Sequence, residues 1–230
     1  MRVVDFSAMW AGPLCAHILG RSGAPVTKIE DPGRPDGARV GDPLLYGRLH
    51  QGHALAQHSF SSVEGRRELA RLVDSADVVI ESSRPRALAQ VGLSPEEFLA
   101  ERAGRTWISI TGYGRDGEAA NRVAYGDDTA VSGGLVGWAD PDTPVFCADA
   151  VADPLGGLFA AYGGLVSLAA GGGFLVDVSL SGAAAQVREG PVCDSPHSVE
   201  RDTDGGWLVR HEGLTQRVLS PAEALAVARV

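Results

Sequence analysis

Short apolar runs separated by stretches of helical spacing constrain this chain most. Residues 2–6 (RVVDF), 25–30 (PVTKIE), 77–81 (DVVIE), 106–111 (TWISIT) and 174–179 (FLVDVS) each read as a strand. DVVIE is apolar almost throughout, as a strand covered on both faces must be. Helical signals lie between these runs. Residues 13–22 carry Pro13 in a first turn, and 63–74 place Leu69, Leu72 and Val73 on one face. Residues 84–103 hold two short helices parted by Gly92, the second begun by Ser94-Pro95-Glu96-Glu97. Residues 127–135 and the strongly apolar 153–170 complete the series. Strands alternating with helices predict an α/β fold, an open parallel sheet with helices on both faces. Ligands of such sheets sit beyond the carboxyl ends of the strands. The loops at 7–13, 31–43, 82–86, 112–126 and 149–153 are therefore the informative ones, and the Gly/Pro/Asp/Arg-rich stretch 31–52 reads as loop throughout.

The chain has 230 residues, enough for one large domain and a small appendage. The expected division is an α/β domain over 1–187, a polar Pro/Gly-rich linker or surface loop over 188–206, and a remnant over 207–230. That remnant holds one strand (GWLVRH) and a short helix from Ser220-Pro221-Ala222-Glu223. A net charge of −9 excludes a general nucleic-acid binder, because phosphate neutralisation needs a basic surface. Lys28 is the sole lysine, so a phosphate contact must come from Arg, backbone N–H or hydroxyls. Cys15, Cys147 and Cys193 form no CxxC pair. That disfavours a cysteine zinc site or a disulfide framework, and a cytoplasmic setting is expected. Asp5 interrupts any signal-peptide core. Pro154–Val176 is uncharged and long enough to cross a bilayer, but its many glycines favour a buried helix, a glycine turn at 171–173 and a buried strand, with no membrane span.

Several local patterns admit a chemical and a structural reading. Ser7-Ala8-Met9-Trp10-Ala11-Gly12-Pro13 follows the first strand; it is not GxGxxG, yet small residues before a helix N-terminus let an anionic ligand approach the backbone, and a plain tight turn is the alternative. Asp153 directly precedes Pro154, the pattern of an N-cap; the same placement keeps a carboxylate ionised and ready to act as a nucleophile. His50, His53 and His58 invite a metal reading, but no regular element makes H-x2-H-x4-H converge, so a partly solvated loop and no metal are expected. Asp127-Asp128 read as acids in the first turn of a helix, or as paired acids for acid–base work or magnesium. Cys147 has no adjacent histidine and reads as a buried thiol.

Residues 3–13 (VVDFSAMWAGP), 26–39 (VTKIEDPGRPDGAR), 76–92 (ADVVIESSRPRALAQVG), 107–114 (WISITGYG) and 144–158 (PVFCADAVADPLGGL), taken in order, resemble the family III CoA-transferases (the CaiB/BaiF family), and the likeness runs to about residue 187. The resemblance implies a Rossmann-like large domain that binds coenzyme A, no metal, and transfer of CoA from an acyl-CoA to a small carboxylic acid. Asp153 would be the nucleophile, passing through an aspartyl anhydride and an aspartyl-CoA thioester. Met9, Trp10 and Ala11 would line the adenine and pantetheine path, with Gly12 in the same turn. Arg39 would contact a CoA phosphate, and Ser82, Ser83 and Arg84 would occupy the family's Asn-Phe-Arg-Pro-like turn. A homodimer is also implied. The chain departs from the pattern in places. The family's Asn-Arg-Gly-Lys loop is His50-Gln51-Gly52-His53 here; a CoA-contacting arginine falls on Gln90 and a lysine on Ser61. The histidine of the racemase branch falls on Ala124, Gly126 or Asp127, which disfavours an acyl-CoA racemase. The family's small domain is expected to be largely missing. The alternative from another class is a non-catalytic CoA-binding or assembly protein that kept the fold. A third is a metal-dependent hydrolase using His50, His53 and His58, which metal content would decide.

Overall fold

A computed structural model describes residues 1–140, 142–188, 197–201, 203, 207–211 and 213–218. In chain order the elements are β1 (Val3–Asp5), α1 (Ala11–Arg21), β2 (Val26–Glu30), α2 (Ala38–Gly41), α3 (Pro43–Leu49), β3 (Ala54–Gln57), α4 (Val63–Ser75), β4 (Val78–Glu81), α5 (Arg86–Ala89), α6 (Pro95–Glu101), β5 (Thr106–Thr111), α7 (Gly126–Ser132), β6 (Val136–Asp140), β7 (Thr143–Phe146), α8 (Ala152–Ala169), β8 (Phe174–Ser179), α9 (Leu180–Arg188), β9 (His197–Arg201), β10 (Trp207–His211) and β11 (Leu214–Val218). The chain divides into two units, Met1–Glu189 and Gly190–Val230.

In the first unit six strands form one sheet in the order β3-β2-β1-β4-β5-β8, every pair parallel. The alternation read from the sequence thus gives the open α/β sheet it predicts. Successive side chains serve opposite faces. Val3, Ile80, Ile108 and Ile110 pack with Ala16 and Leu19 of α1 and Ala160 and Ala161 of α8. Val4, Val79 and Trp107 face the other way, onto Leu69 and Val73 of α4, Leu88 of α5 and Phe98 of α6. The chain leaves β1 for β2 on one side and later returns to lay β4 on the other. The crevice of such a sheet opens at that reversal, outside the carboxyl ends of β1 and β4.

Side-chain caps fix the helix starts. Ser62 Oγ accepts from Gly65 N–H at 3.0 Å and Ser94 Oγ from Glu97 N–H at 3.3 Å. The stretch 31–52 is not all loop: Asp42 Oδ1 accepts from Leu45 N–H at 2.9 Å and Pro43 takes the first position of α3, so two short helices and then the edge strand β3 form there. The uncharged stretch 154–176 resolves into α8, a glycine turn and β8, but neither element is buried as expected. Only one face of α8 packs on the sheet, Tyr162 and Val166 are exposed, and β8 lies at the sheet edge with Phe174 and Leu175 exposed. Gly172 has φ +73, and a Cβ on it would lie 2.3 Å from the Gly104 carbonyl oxygen. Among the described residues no helix is long and apolar enough to cross a membrane. A hairpin of β6 and β7, not read from the sequence, is paired antiparallel between α7 and α8 in the chain.

The second unit is an antiparallel sheet in the order β11-β10-β9. β10 is the strand expected in GWLVRH. β9 lies inside the stretch expected to be linker; HSVER is too short and too polar for its alternation to stand out. The helix expected from Ser220 lies outside the described residues.

Candidate active site at the carboxyl ends of the strands

The turn after β1 is tied down by buried charge. Ser7 N–H donates to Asp5 Oδ1 at 2.8 Å, and the Ser7 hydroxyl bonds the same oxygen. Ala8 N–H reaches Ser82 Oγ at 3.2 Å, linking this turn to the end of β4. Met9 N–H donates to Asp36 Oδ1 at 3.1 Å and holds φ +71, a left-handed conformation uncommon for such a residue. Lys28, whose side chain is 2% exposed, sits 3.3 Å from Asp36 and also bonds the Ser7 carbonyl. The one lysine is therefore spent inside the protein, shaping the turn. Helix α1 starts at Ala11, two residues earlier than Pro13 suggests, and its N-cap Trp10 makes no side-chain cap. The N–H groups of Ala11 and Gly12 have no partner within the helix, which is what an approaching phosphate requires. Gly12 is obligatory here, since a Cβ would lie 2.1 Å from Ser7 Cβ.

Around the crevice, Arg39 lies on α2 with its Nε 2.9 and 3.1 Å from the two oxygens of Glu30, and its guanidinium stacks 4.4 Å above the Tyr46 ring. Tyr46 OH donates to the same carboxylate at 2.9 Å. Arg39 is thus pinned through Nε and by stacking, with a third of its side chain exposed. Ser82 is engaged by Ala8, Ser83 Oγ is buried without a partner among the described residues, and Arg84 is exposed.

Asp153 does not cap its helix. Helix α8 begins at Ala152 with Val151 as N-cap, so Asp153 is the second helical residue and Pro154 the third, where a missing N–H costs nothing. Its carboxylate accepts from the Gly126 backbone N–H at the start of α7. A Cβ on Gly126 would lie 2.6 Å from Asp153 Oδ2 and 2.4 Å from the Ala150 carbonyl oxygen, so only glycine allows this approach. The turn before the helix is strained: Ala148 and Ala150 have φ +66 and +46. Asp153 N–H donates to Ala150 O at 2.8 Å, and Ala150 N–H to Asp127 Oδ1 at 2.7 Å. Burial pushes the Asp153 carboxyl up to about 6, the Gly126 N–H works against that, and Asp127, Asp128 and Asp149 add to it by repulsion. The group is ionised at neutral pH yet more basic than an ordinary aspartate, a property that would favour a nucleophilic role. One helical turn further, a Cβ on Gly157 would lie 2.6 Å from the Ala11 carbonyl oxygen, so the starts of α1 and α8 are packed against each other.

With this geometry in view, the comparisons are decisive for the family. Residues 1–222 match the sequence profile of CoA-transferase family III. The chain belongs to that family. The succinyl-CoA–D-citramalate CoA-transferase of Chloroflexus aurantiacus is 29% identical over 241 residues, covering 91% of this chain and 60% of the relative. The succinyl-CoA:glutarate CoA-transferase of Homo sapiens is 28% identical over 176 residues, covering 73% of this chain and 40% of the relative. A CAIB/BAIF family protein from Brucella suis has a solved structure that superposes with a TM-score of 0.76 at 26% identity, over 91% of this chain and 64% of that one. The chain spans about three fifths, or less, of the length of these two curated relatives.

In this family member the turn 8–12 and Ser82 come together at the crevice, and Asp36 joins Arg39's helix to Met9. Two groups escaped the sequence reading. Glu81, buried at the end of β4, accepts from Trp107 Nε1 at 3.0 Å and from Arg115 Nη1 at 2.6 Å; Arg115 also reaches Ser109 Oγ at 2.8 Å and so fastens the 112–126 loop over the sheet. Burial pushes the Glu81 carboxyl up. An ion pair between residues 34 apart leaves no local signal. The histidines also differ from expectation. His50 caps α3, a turn through Gly52 at φ +81 follows, and His50 Nδ1 comes to 3.4 Å from His53 Nδ1, with the ring of His17 beside them. A turn, not a regular element, makes them converge; His58 stays apart, its N–H on Glu30 O. Among the described residues no group of three or more such ligands is arranged to hold a metal. Cys147 is exposed, against the buried thiol expected, while Cys15 is buried.

Proposed function

We propose that this chain carries the CoA-binding and nucleophilic part of an acyl-CoA:carboxylate CoA-transferase, with Asp153 as the nucleophile. The observation that carries the reading is the placement of Asp153: a half-buried, basic carboxylate in the first turn of an apolar helix, backed by a glycine N–H, whose helix start packs on the Ala11 turn of the crevice. The CoA phosphates lie against the turn 8–12 and Arg39, with Ser82, Ser83 and Arg84 along the same edge.

Asp153 attacks the thioester carbonyl; the C–S bond breaks, CoA leaves as thiolate, and a mixed aspartyl anhydride remains. The thiolate attacks the aspartyl carbonyl; the anhydride C–O bond breaks, the donor acid leaves as carboxylate, and an aspartyl-CoA thioester forms. The acceptor carboxylate attacks that thioester, expels the thiolate and forms a second anhydride. The thiolate then attacks the acceptor's carbonyl, giving the new acyl-CoA and free Asp153. Every nucleophile and leaving group is a carboxylate or thiolate, so no proton moves and no general base is needed. That fits a site whose neighbouring charges are Asp127, Asp128 and Asp149. Racemisation, which must remove and return a proton, finds no histidine at Ala124, Gly126 or Asp127.

The test uses succinyl-CoA, the donor in the names of both curated relatives. Intact mass after mixing should show a covalent adduct in the wild-type chain and none in Asp153→Ala. Calorimetric binding of CoA with no adduct in either protein would replace this reading with a CoA-binding protein without turnover.

A further inference from the structure

Asp127 has no place in the transfer steps, yet it touches the backbone that presents the nucleophile. Its Oδ1 accepts Ala150 N–H at 2.7 Å, and the Ala150 carbonyl accepts Asp153 N–H at 2.8 Å. Ala150 itself is held at φ +46 and Ala148 at φ +66, conformations that alanine leaves unless something fixes them. On the other side, Gly126, the residue before Asp127, donates its N–H to the Asp153 carboxylate. The start of α7 therefore grips the reacting group twice: Gly126 directly, and Asp127 through the strained turn.

We propose that Asp127 is a positioning residue for Asp153, its hydrogen bond to Ala150 holding the left-handed turn that aims the nucleophile while its charge lies beside the carboxylate. The inference rests on the proposed role of Asp153. Charge and hydrogen bond are separable by substitution. Asp127→Asn keeps an oxygen acceptor for Ala150 N–H and removes the charge; Asp127→Ala removes both. The charged groups acting on Asp153 are Asp127, Asp128 and Asp149, so loss of one leaves repulsion from the other two. Asp128 is itself engaged at the helix start, accepting Tyr125 N–H at 2.6 Å and Tyr113 OH at 3.1 Å.

The experiment titrates the Asp153 side-chain carboxyl by 13C NMR in the full chain, with its signal assigned by loss in Asp153→Asn, and follows amide exchange at Ala150. Both Asp127 variants should shift the Asp153 midpoint downward, and Ala150 protection should be lost in Asp127→Ala but kept in Asp127→Asn. With succinyl-CoA, Asp127→Ala should slow adduct formation by roughly 10- to 100-fold, the scale of a misplaced reacting group, while Asp127→Asn slows it much less, as a less basic nucleophile would, and shifts its pH profile to lower pH. An Asp153 midpoint unmoved in both variants, or Ala150 protection unchanged in Asp127→Ala, would overturn the proposal. Neither NMR readout depends on turnover, so a wild-type chain that forms no adduct removes the transferase reading and leaves the role of Asp127 decided on its own evidence. Should Asp127→Ala fail to fold, Asp127→Asn decides: an unmoved Asp153 midpoint, or Ala150 protection lost although the acceptor is kept, would overturn the proposal.

Discussion

In its proposed role as nucleophile Asp153 must be ionised, and burial with three nearby aspartates holds its carboxyl up to about 6. The rate of adduct formation should therefore rise with pH through about 6 and level off above 7, where a solvated aspartate would already be flat; stopped-time mass measurements across that range check it. Arg39 makes a different kind of prediction. Its Nε is committed to Glu30, so its terminal amines are what a phosphate can use. Arg39→Ala should weaken CoA by about 1–3 kcal/mol, the scale of a charge-assisted hydrogen bond, measured by calorimetry. Glu30, 4% exposed, also loses its partner, so thermal unfolding must be followed in parallel. At this scale the sequence was partly legible. The Asp153-Pro154 pair and the 7–13 turn stand out locally, because small residues, Pro and a carboxylate cluster within a few positions. Glu81–Arg115 and the Lys28–Asp36–Met9 link did not, because contacts made by folding carry no spacing rule.

The helices are brought close by their glycines. The Ala11 backbone lies where a Gly157 side chain would be, and this contact sets the start of α1 beside that of α8. Gly157→Ala should push the two helices apart, costing roughly 1–3 kcal/mol by overpacking and weakening CoA binding together with adduct formation; urea unfolding and calorimetry on one variant check both. A variant of unchanged stability would contradict this contact. The long apolar elements were readable from periodicity: β4, β5, β8, α4 and α8 fall within a residue or two of expectation. The short polar ones were not. Asp42-Pro43 is the same helix start as Ser94-Pro95, but the surrounding Gly, Pro, Asp and Arg masked it. β3, at the sheet edge, is mostly exposed and owes its form to pairing with β2.

Across the first unit, the buried charge beneath the 7–9 turn governs the response to acid. Burial holds His50 and His53 down at about 4, Lys28 adding to both and His17 to His53. An unfolded chain takes up protons on these rings near their ordinary value of 6.5, before the folded one does. Their contribution to stability is therefore present above about 6.5 and lost as pH falls toward 4. Asp153, raised by folding, acts with the opposite sign, its share lost as pH rises toward about 6. His17 is lowered by burial as well, and Glu81 is raised like Asp153, so three rings stand against two carboxyls. The urea midpoint should be lower at about pH 5 than at pH 7, and replacing both His50 and His53 with Asn should flatten that slope; a midpoint that rises on acidification would contradict this assignment. The sheet order, with its reversal between β1 and β4, turned strand alternation into a located crevice that periodicity alone cannot place. Membership in family III supports the proposal that this crevice takes a CoA thioester.

Borohydride reduction of the succinyl-CoA-treated chain, followed by peptide sequencing, reaches the claim at its centre. An aspartyl thioester is reduced to homoserine, whereas a free carboxylate is untouched. Homoserine at position 153, formed only after exposure to the thioester, is the predicted result. An intact aspartate at 153 with homoserine or label at another residue would contradict it.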